Sequence, residues 1–335
     1  MVIDPYNGYR WLGYSFPEGI RADAVLVSHP HYDHDASYYF PPDVPVFRRP
    51  GSYQIGDLRI TGVGGKHAEP YGREFGQTNT LWVVEVDGVR VAHLGDTGPL
   101  SREAAAALGR VDVLLIPVDG QDHILKREEI AAIRAVLRPR ITVPMHYRIP
   151  ALSPLPDSLG PVDPWLADQS GVRRLATHQA TVSPAGLAKS VPVWVFPPSP
   201  EVRPWRKPLW DARAQWEKAR ELTKAGRAAE AAALLRKAVE LAPEASLFAY
   251  DLARALEAWG RREEAVAVLE RSLASSSRKD WEYTVLSRAL LAGLYAAQGR
   301  TSLAAGQYRL VRAHSFWIEP RKQAKAFLSR LAADP

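Results

Sequence analysis

The first 200 residues break into short apolar runs separated by Gly, Pro and Asp, whereas the remainder carries apolar residues at helical spacing in Ala-, Leu-, Arg- and Glu-rich stretches. In the first part, Ala24–Ser28 and Asp57–Val63 predict strands. Leu81–Val86 and Val89–Leu94 flank Asp87-Gly88, a pair that tolerates positive φ and therefore predicts a two-residue hairpin. Val113–Val118 is apolar throughout and of strand length. Arg127–Leu137 repeats Ile130, Ile133, Val136 and Leu137 at helical spacing, and Pro139 stops it. Ile141–Met145 and Val191–Phe196 complete the predicted strands. Hairpins come first and strand–helix alternation follows, which predicts α/β layers.

The pattern changes after Pro197-Pro198-Ser199-Pro200, Pro204 and Pro208, a stiff extended stretch. We read a domain over 1–200, a Pro-rich linker over 201–209 and a second domain over 210–335. Gly226-Arg227, Gly260-Arg261 and Gly299-Arg300 recur there, and five residues after each glycine stands an alanine: Ala231, Ala265 and Ala304. Ala219, Ala253 and Ala292 precede the same glycines by seven, where two helices can cross closely. This resembles tetratricopeptide repeats, 34-residue pairs of antiparallel helices. The resemblance implies about three repeats over Trp210–Ser315, with extra residues near Ser275–Asp280 and a capping helix at Arg321–Leu331.

Composition narrows the chemistry. Cysteine is absent, so disulfides and thiolate ligands are excluded and a metal would need His and carboxylates. Two Asn, two Met and 33 Arg against 10 Lys fit a thermophile or a GC-rich genome equally. Residues 1–200 hold 19 Lys/Arg against 21 Asp/Glu, a net of −2; residues 201–335 hold 24 against 16, a net of +8. Eight of the nine His lie before residue 200. No apolar run of about 18 residues spans a membrane, and Met1–Pro5 lacks the basic and apolar regions of a secretory signal.

The sharpest motif is Ser28-His29-Pro30-His31-Tyr32-Asp33-His34-Asp35, directly after a predicted strand. A loop there can gather His29 and His31 on one side and Asp33 and His34 on another. Gly64-Gly65-Lys66-His67, His93-Leu94-Gly95-Asp96-Thr97-Gly98 and Pro144-Met145-His146-Tyr147 follow further strands. In that order the motifs resemble the metallo-β-lactamase superfamily of metallohydrolases. The resemblance implies an α/β metallo-β-lactamase αββα sandwich over residues 1–200, ahead of an all-α tetratricopeptide-repeat solenoid. It implies that His29, His31 and His67 hold one divalent ion, that Asp33, His34 and His146 hold a second, and that Asp96 bridges them. Zinc is the first candidate metal, with manganese or iron also suited to such donors.

The implied activity is a dinuclear hydrolase that uses a metal-bridging hydroxide on an ester, lactone or phosphodiester bond, with Asp96 and Asp33 in the catalytic centre. The motifs look most like the branch containing ascorbate-6-phosphate lactonase and N-acylphosphatidylethanolamine phospholipase D. His123, in Asp119-Gly120-Gln121-Asp122-His123, is a candidate for contacting substrate or leaving group, and Tyr147 and Arg148 are candidates for holding an anionic substrate. His93 reads as packed core. His178 has no supporting motif, and the aromatics Tyr6 to Phe16 read mainly as loop packing. Two rival readings are a ribonuclease Z-like nuclease using the basic second half, and a repeat adaptor whose metal domain is only structural. The repeats imply a protein or peptide partner or self-association. One departure stands out: the superfamily normally has a strand or hairpin before a segment like Val2-Ile3-Asp4-Pro5. Either the start is placed late or the first sheet is shortened. The expected location is cytoplasmic as written, and extracytoplasmic if a leader segment precedes Met1.

Overall fold

A computed structural model of the chain describes residues 1–6, 16–17, 19–31, 33–68, 77–119, 124–149, 159–200, 207–243, 245–275, 281–314 and 318–333. Two compact units divide the described residues, the first holding those up to 200 and the second those from 207 on. The first holds two sheets. A small parallel sheet has the order β1 (Val2–Ile3), β2 (Val25–Leu26), β3 (Val46–Phe47). The large sheet is built from β4 (Gly51–Ile55), β5 (Leu58–Lys66), β6 (Thr78–Val86), β7 (Val89–His93), β8 (Val113–Pro117), β9 (Ile141–Met145), β10 (Val172–Arg174) and β11 (Val193–Val195). Its order is β10-β11-β9-β8-β7-β6-β5-β4.

Strands β4 to β7 pair antiparallel, and β7 through β8, β9, β11 and β10 pair parallel. The hairpin between β6 and β7 turns at Asp87 (φ 50°) and Gly88 (φ 75°), the left-handed pair that such a turn requires. The parallel half is connected through α1 (Arg102–Leu108), α2 (Arg127–Leu137), α3 (Asp163–Leu166) and α4 (Pro184–Leu187). Helix α2 and strand β9 span the residues the apolar pattern predicts.

Alternation along the strands sorts side chains between layers. Leu81, Val83, Leu114 and Ile116 form one core with Leu108 of α1, Ile130 and Ile133 of α2, and Trp165 of α3. On the opposite face, Ile60, Trp82 and Val84 pack with Leu26, Ile3 and Phe47 of the small sheet. Val113, Ile141 and Val143 there meet Leu187 of α4. Val25 and Val27 point the other way, onto Phe40 and Phe16. Phe16 also stacks on Tyr39 at 4.9 Å, which is loop packing; Tyr9, Trp11 and Tyr14 lie outside the described residues. Helices, large sheet and small sheet therefore form successive layers of an α/β metallo-β-lactamase-like domain.

This topology gathers the strand ends that matter. Because β5 is two antiparallel steps from β7, and β7, β8 and β9 are parallel, all four end on the same edge. Strand β2 joins that edge through the Thr80 N–H, which donates to Ser28 O at 2.7 Å.

Among the described residues, the elements of the second unit are helices: α5 (Lys207–Lys224), α6 (Ala228–Leu241), α7 (Ser246–Ala258), α8 (Arg262–Ser275), α9 (Trp281–Ala297), α10 (Thr301–His314) and α11 (Ile318–Ala333). Gly226, Gly260 and Gly299 all have positive φ, at 73°, 81° and 71°. After each, the arginine N–H reaches back five residues, to Leu222 O, Leu256 O and Tyr295 O at 2.8–2.9 Å. That is the Schellman closure, in which glycine supplies the left-handed residue. Ala219, Ala231, Ala253, Ala265, Ala292 and Ala304 are all fully buried, so the small positions are where helices meet. Trp216 Nε1–H donates to Asp251 Oδ2 at 2.7 Å, tying α5 to α7. Among the described residues, no helix is long and apolar enough to cross a membrane.

Candidate metal centre

His29, His31, Asp33, His34, His67, Asp96 and His146 come together at the shared edge. His29, His31 and His67 place one ligand atom each within 4.8 Å of one another, and so do His29, Asp33 and His34. Asp96 is the common neighbour. His34 Nε2 lies 3.3 Å from its Oδ1, and three other Nε2 atoms approach its Oδ2: His146 at 3.4 Å, His29 at 3.9 Å and His67 at 3.9 Å. Asp33 Oδ2 lies 3.7 Å from His34 Nε2.

The far side of three rings explains why Nε2 faces inward. Ser28 Oγ donates its only hydrogen to Asp4 Oδ2 at 2.6 Å. At its 3.0 Å contact with His29 Nδ1 it must therefore accept, which puts the His29 proton on Nδ1. His34 Nδ1 donates to Asp4 Oδ2 at 2.7 Å, and His67 Nδ1 donates to the Ala68 carbonyl at 3.0 Å. His29 and His67, held neutral, keep the Nε2 lone pair, and His34 offers its own once its second proton leaves. Imidazoles held this way by a carboxylate, hydroxyl or carbonyl are oriented as metal ligands.

Electrostatics follow the same division. Burial, aided by the neighbouring charges of His34 and His31, holds His29 well below the usual imidazole value. Burial likewise lowers His67, to about 4. Burial opposes protonation of His34 too, but Asp96, Asp33 and Asp4 outweigh it and raise that ring well above the usual value. His146 is raised in the same sense, with Asp96 outweighing burial. Burial disfavours the Asp96 anion, yet His146 and His34 hold it well below the carboxylate range. The buried atoms His29 Nε2 and Asp33 Oδ1 have no hydrogen-bond partner among the described residues. Buried acceptors left open beside a buried anion and neutral imidazoles fit a cation.

The loops are locked together by backbone. Ala68 N–H donates to Asp96 O at 2.9 Å and Gly98 N–H to Lys66 O at 3.0 Å. Gly95 has φ 54°, and a Cβ there would meet Ser28 Oγ at 2.5 Å and Asn79 Oδ1 at 2.6 Å. Asn79 Nδ2 in turn donates to Leu94 O at 2.7 Å. Two non-glycine residues with left-handed backbone belong to the site, Asp4 (φ 49°) and His146 (φ 57°); such conformations cost about 1–3 kcal/mol each and collect at functional sites. The last residue of the first motif, Asp35, faces elsewhere. Arg48 grips it through two bonds, Nε to Oδ2 at 2.8 Å and a terminal nitrogen to Oδ1 at 3.0 Å.

His93 is buried and accepts from the Gly95 N–H at Nδ1, as a packed neutral ring does. Tyr147 is half-buried against the helix-side core, and burial raises its hydroxyl. Arg148 is exposed, with its backbone N–H bonded to Gly160 O at 2.9 Å. His123 lies outside the described residues. His178 is half-buried and stands in a separate bend before α4. Sequence reasoning missed Asp4, which accepts from the Ser28 N–H, the Ser28 hydroxyl and His34. Burial disfavours its anion, but His34, His93 and Ser28 lower its pKa on balance. A lone Asp after two β-branched residues carries no motif signal, and the role of Ser28 is visible only once Asp4 is beside it.

Residues 1–146 match the model of the beta-lactamase superfamily domain, and residues 222–278 that of the tetratricopeptide repeat. A UPF0173 protein of Pyrococcus furiosus is 32% identical over 152 residues, covering 38% of this chain and 67% of that protein. The chain belongs to the metallo-β-lactamase superfamily, among the UPF0173 proteins. A UPF0173 metal-dependent hydrolase of Thermococcus onnurineus is 27% identical over 172 residues, covering 44% of this chain and 76% of its own length. A solved member of the superfamily from Thermotoga maritima is 29% identical, with a TM-score of 0.41, covering 52% of this chain and 81% of that one. In this chain tetratricopeptide repeats follow the first domain.

Proposed function

We propose that this metal-dependent hydrolase holds two divalent ions and cleaves an ester, lactone or phosphodiester bond. His29, His31 and His67 would hold one ion, Asp33, His34 and His146 the other, and Asp96 would touch both. The observation that carries this reading is the convergence of four imidazole Nε2 atoms within 3.3–3.9 Å of one buried carboxylate. When bound, such a pair of ions activates water and polarises the scissile oxygen.

The chain's own residues prepare that chemistry. Asp4, Ser28 and the Ala68 carbonyl fix the rings before an ion arrives. Asp96 stays ionised and can orient water by accepting a hydrogen bond at its carboxylate. Arg148, exposed two residues after His146, is a candidate for meeting an anionic group, and Tyr147 and His123 are the further candidates for substrate contact. Zinc suits the donor set, as do manganese and iron.

Metal analysis after incubation with zinc or manganese, followed by a screen of lactones, phosphodiesters and carboxylic esters, tests this reading. Up to two ions per chain and a hydrolysis that disappears in Asp96→Ala are expected. A protein that takes up neither metal overturns it.

For the repeat domain we propose a protein or peptide partner. Arg220 lies over Trp216 at 4.7 Å and Arg254 over Tyr250 at 5.8 Å, at positions one 34-residue repeat apart. Both arginines are exposed, which supports an acidic stretch as the group recognised. A labelled Glu-rich peptide that binds the full chain no better than an uncharged one would remove that support.

A further inference from the structure

We propose that Gln77 is a positioning residue that orients His31 and selects the nitrogen with which this ring meets a metal ion. The inference rests on the metal-site reading above and goes beyond it by assigning a residue outside the ligand motifs.

Gln77 immediately precedes β6 and does two things at once. Its backbone oxygen accepts from the His67 N–H at 3.0 Å, continuing the β5–β6 ladder. Its side-chain amide reaches His31 Nε2, with Oε1 at 3.2 Å and Nε2 at 3.0 Å. One residue thereby links two of the three histidines grouped within 4.8 Å at the first ion position. The rings themselves are close: His29 and His31 have centroids 4.5 Å apart, and His31 and His67 4.9 Å.

His31 is held at the opposite end from its neighbours. His29, His34 and His67 are each fixed through Nδ1, by Ser28, Asp4 and the Ala68 carbonyl, and present Nε2. At His31 the amide occupies Nε2, which assigns the ligand role to Nδ1. For Nδ1 to carry a lone pair, the ring proton must sit on Nε2, and Gln77 Oε1 is the acceptor that keeps it there. If the amide nitrogen, at 3.0 Å, instead donates to His31 Nε2, the ring proton sits on Nδ1 and closes that atom to an ion. The metal-site reading and the Gln77 contact are thus consistent with one His31 tautomer only, the one in which Oε1 accepts.

Two variants of the full-length protein separate the acceptor role of Gln77 from the donor role. Gln77→Glu keeps an acceptor and removes the donor, while Gln77→Leu keeps approximate size and removes both. The probe is Zn²⁺, titrated against a chelator and counted by metal analysis. A second readout is the ring-nitrogen NMR spectrum of ¹⁵N-histidine-labelled, metal-free protein, which reports the tautomer of His31 directly. We expect His31 in the Nε2–H form in the parent and in Gln77→Glu, with zinc affinity kept in the latter. In Gln77→Leu we expect loss of that preference and a fall in affinity at one ion position of about 10–100-fold, the usual effect of removing a partner that orients a ligand.

Equal zinc affinity and an unchanged tautomer in Gln77→Leu would overturn the inference. So would Gln77→Glu losing zinc as severely as Gln77→Leu, because Gln77 would then act as a donor. A parent protein that binds neither zinc nor manganese would instead defeat the metal-site reading, and the metal-free tautomer measurement would still decide the role of Gln77.

Discussion

Gly95 of the first domain and Gly260 of the second share a left-handed backbone, with φ of 54° and 81°. Their surroundings differ. A Cβ at Gly95 would lie 2.5 Å from Ser28 Oγ and 2.6 Å from Asn79 Oδ1, whereas at Gly260 it would meet nothing within 4 Å. Around Gly95, three segments distant in sequence share one small volume, so a local choice of residue controls a long-range contact. At Gly260 the requirement is local: glycine closes a helix, and equivalent closures at Gly226 and Gly299 do the same. The first domain concentrates its tolerances at a single locus, and the second distributes them over repeats.

The most severe test of this contrast is Asp96→Ala. It should reduce hydrolysis to background while the far-ultraviolet circular dichroism, dominated by α5 to α11, stays at the parent level. Turnover equal to the parent on any accepted substrate would break the assignment of Asp96. Gly95→Ala comes next. Displacing Ser28 should release Asp4 and His29 together and weaken zinc binding at least about tenfold in a chelator competition; unchanged affinity would show that the three segments can part without cost.

Acidity should act on the same locus. His34 and His146 hold protons more tightly than ordinary imidazoles, because Asp96 and the nearby carboxylates outweigh burial. An incoming ion must displace those protons, so zinc affinity should rise with pH and proton release should be measurable by calorimetry in buffers of different ionisation heat. The corresponding stability effect in metal-free protein has the opposite sense. A raised His34 stabilises the fold fully below the ordinary value of 6.5, and that contribution is lost as pH rises through its folded value. Zinc affinity independent of pH across about 6 to 8 would contradict both.

Smaller effects are expected in the second domain. Removing residues 201–335 should leave hydrolysis of small soluble substrates within about tenfold, or ~1.4 kcal/mol, and residues 209–335 should fold alone as a helical protein. A folded, metal-loaded first domain with no activity would place the repeats in the active site instead. Gly260→Ala should cost only the left-handed penalty, about 1–2 kcal/mol, read as a modest fall in Tm of the repeat domain.

The repeats were legible because their signal is periodic: Gly-Arg turns and flanking alanines recur, and every one of those alanines is buried. Helix α2 and strand β9 were legible for a related reason, since β9 is mostly apolar and buried on both faces and α2 has one apolar face. The hairpin at Asp87-Gly88 carried its own turn chemistry. Strands β1 and β3 were not legible, because two residues are too few to show alternation. Strand β4, Gly51–Ile55, is mostly exposed and has little apolar pattern to read. In the site, the His and Asp motifs stood out by spacing, but Asp4, Gln77 and Asn79 did not. Each acts through a contact with a residue 15 to 46 positions away, which only the folded chain brings together.

Strand β1 adds a consequence for anyone following this protein as it folds. It is a two-residue strand that, among the described residues, lies at a sheet edge and pairs with β2, and Asp4 comes directly after it. A slip of one residue would put Ile3 or Pro5 where Ser28 and His34 require a carboxylate, and neither side chain can accept a hydrogen bond. On the proposed metal-site reading, zinc uptake would therefore be a chemical stopwatch for the docking of β1. A spectroscopic trace dominated by helices α5 to α11 would reach its plateau without registering that event.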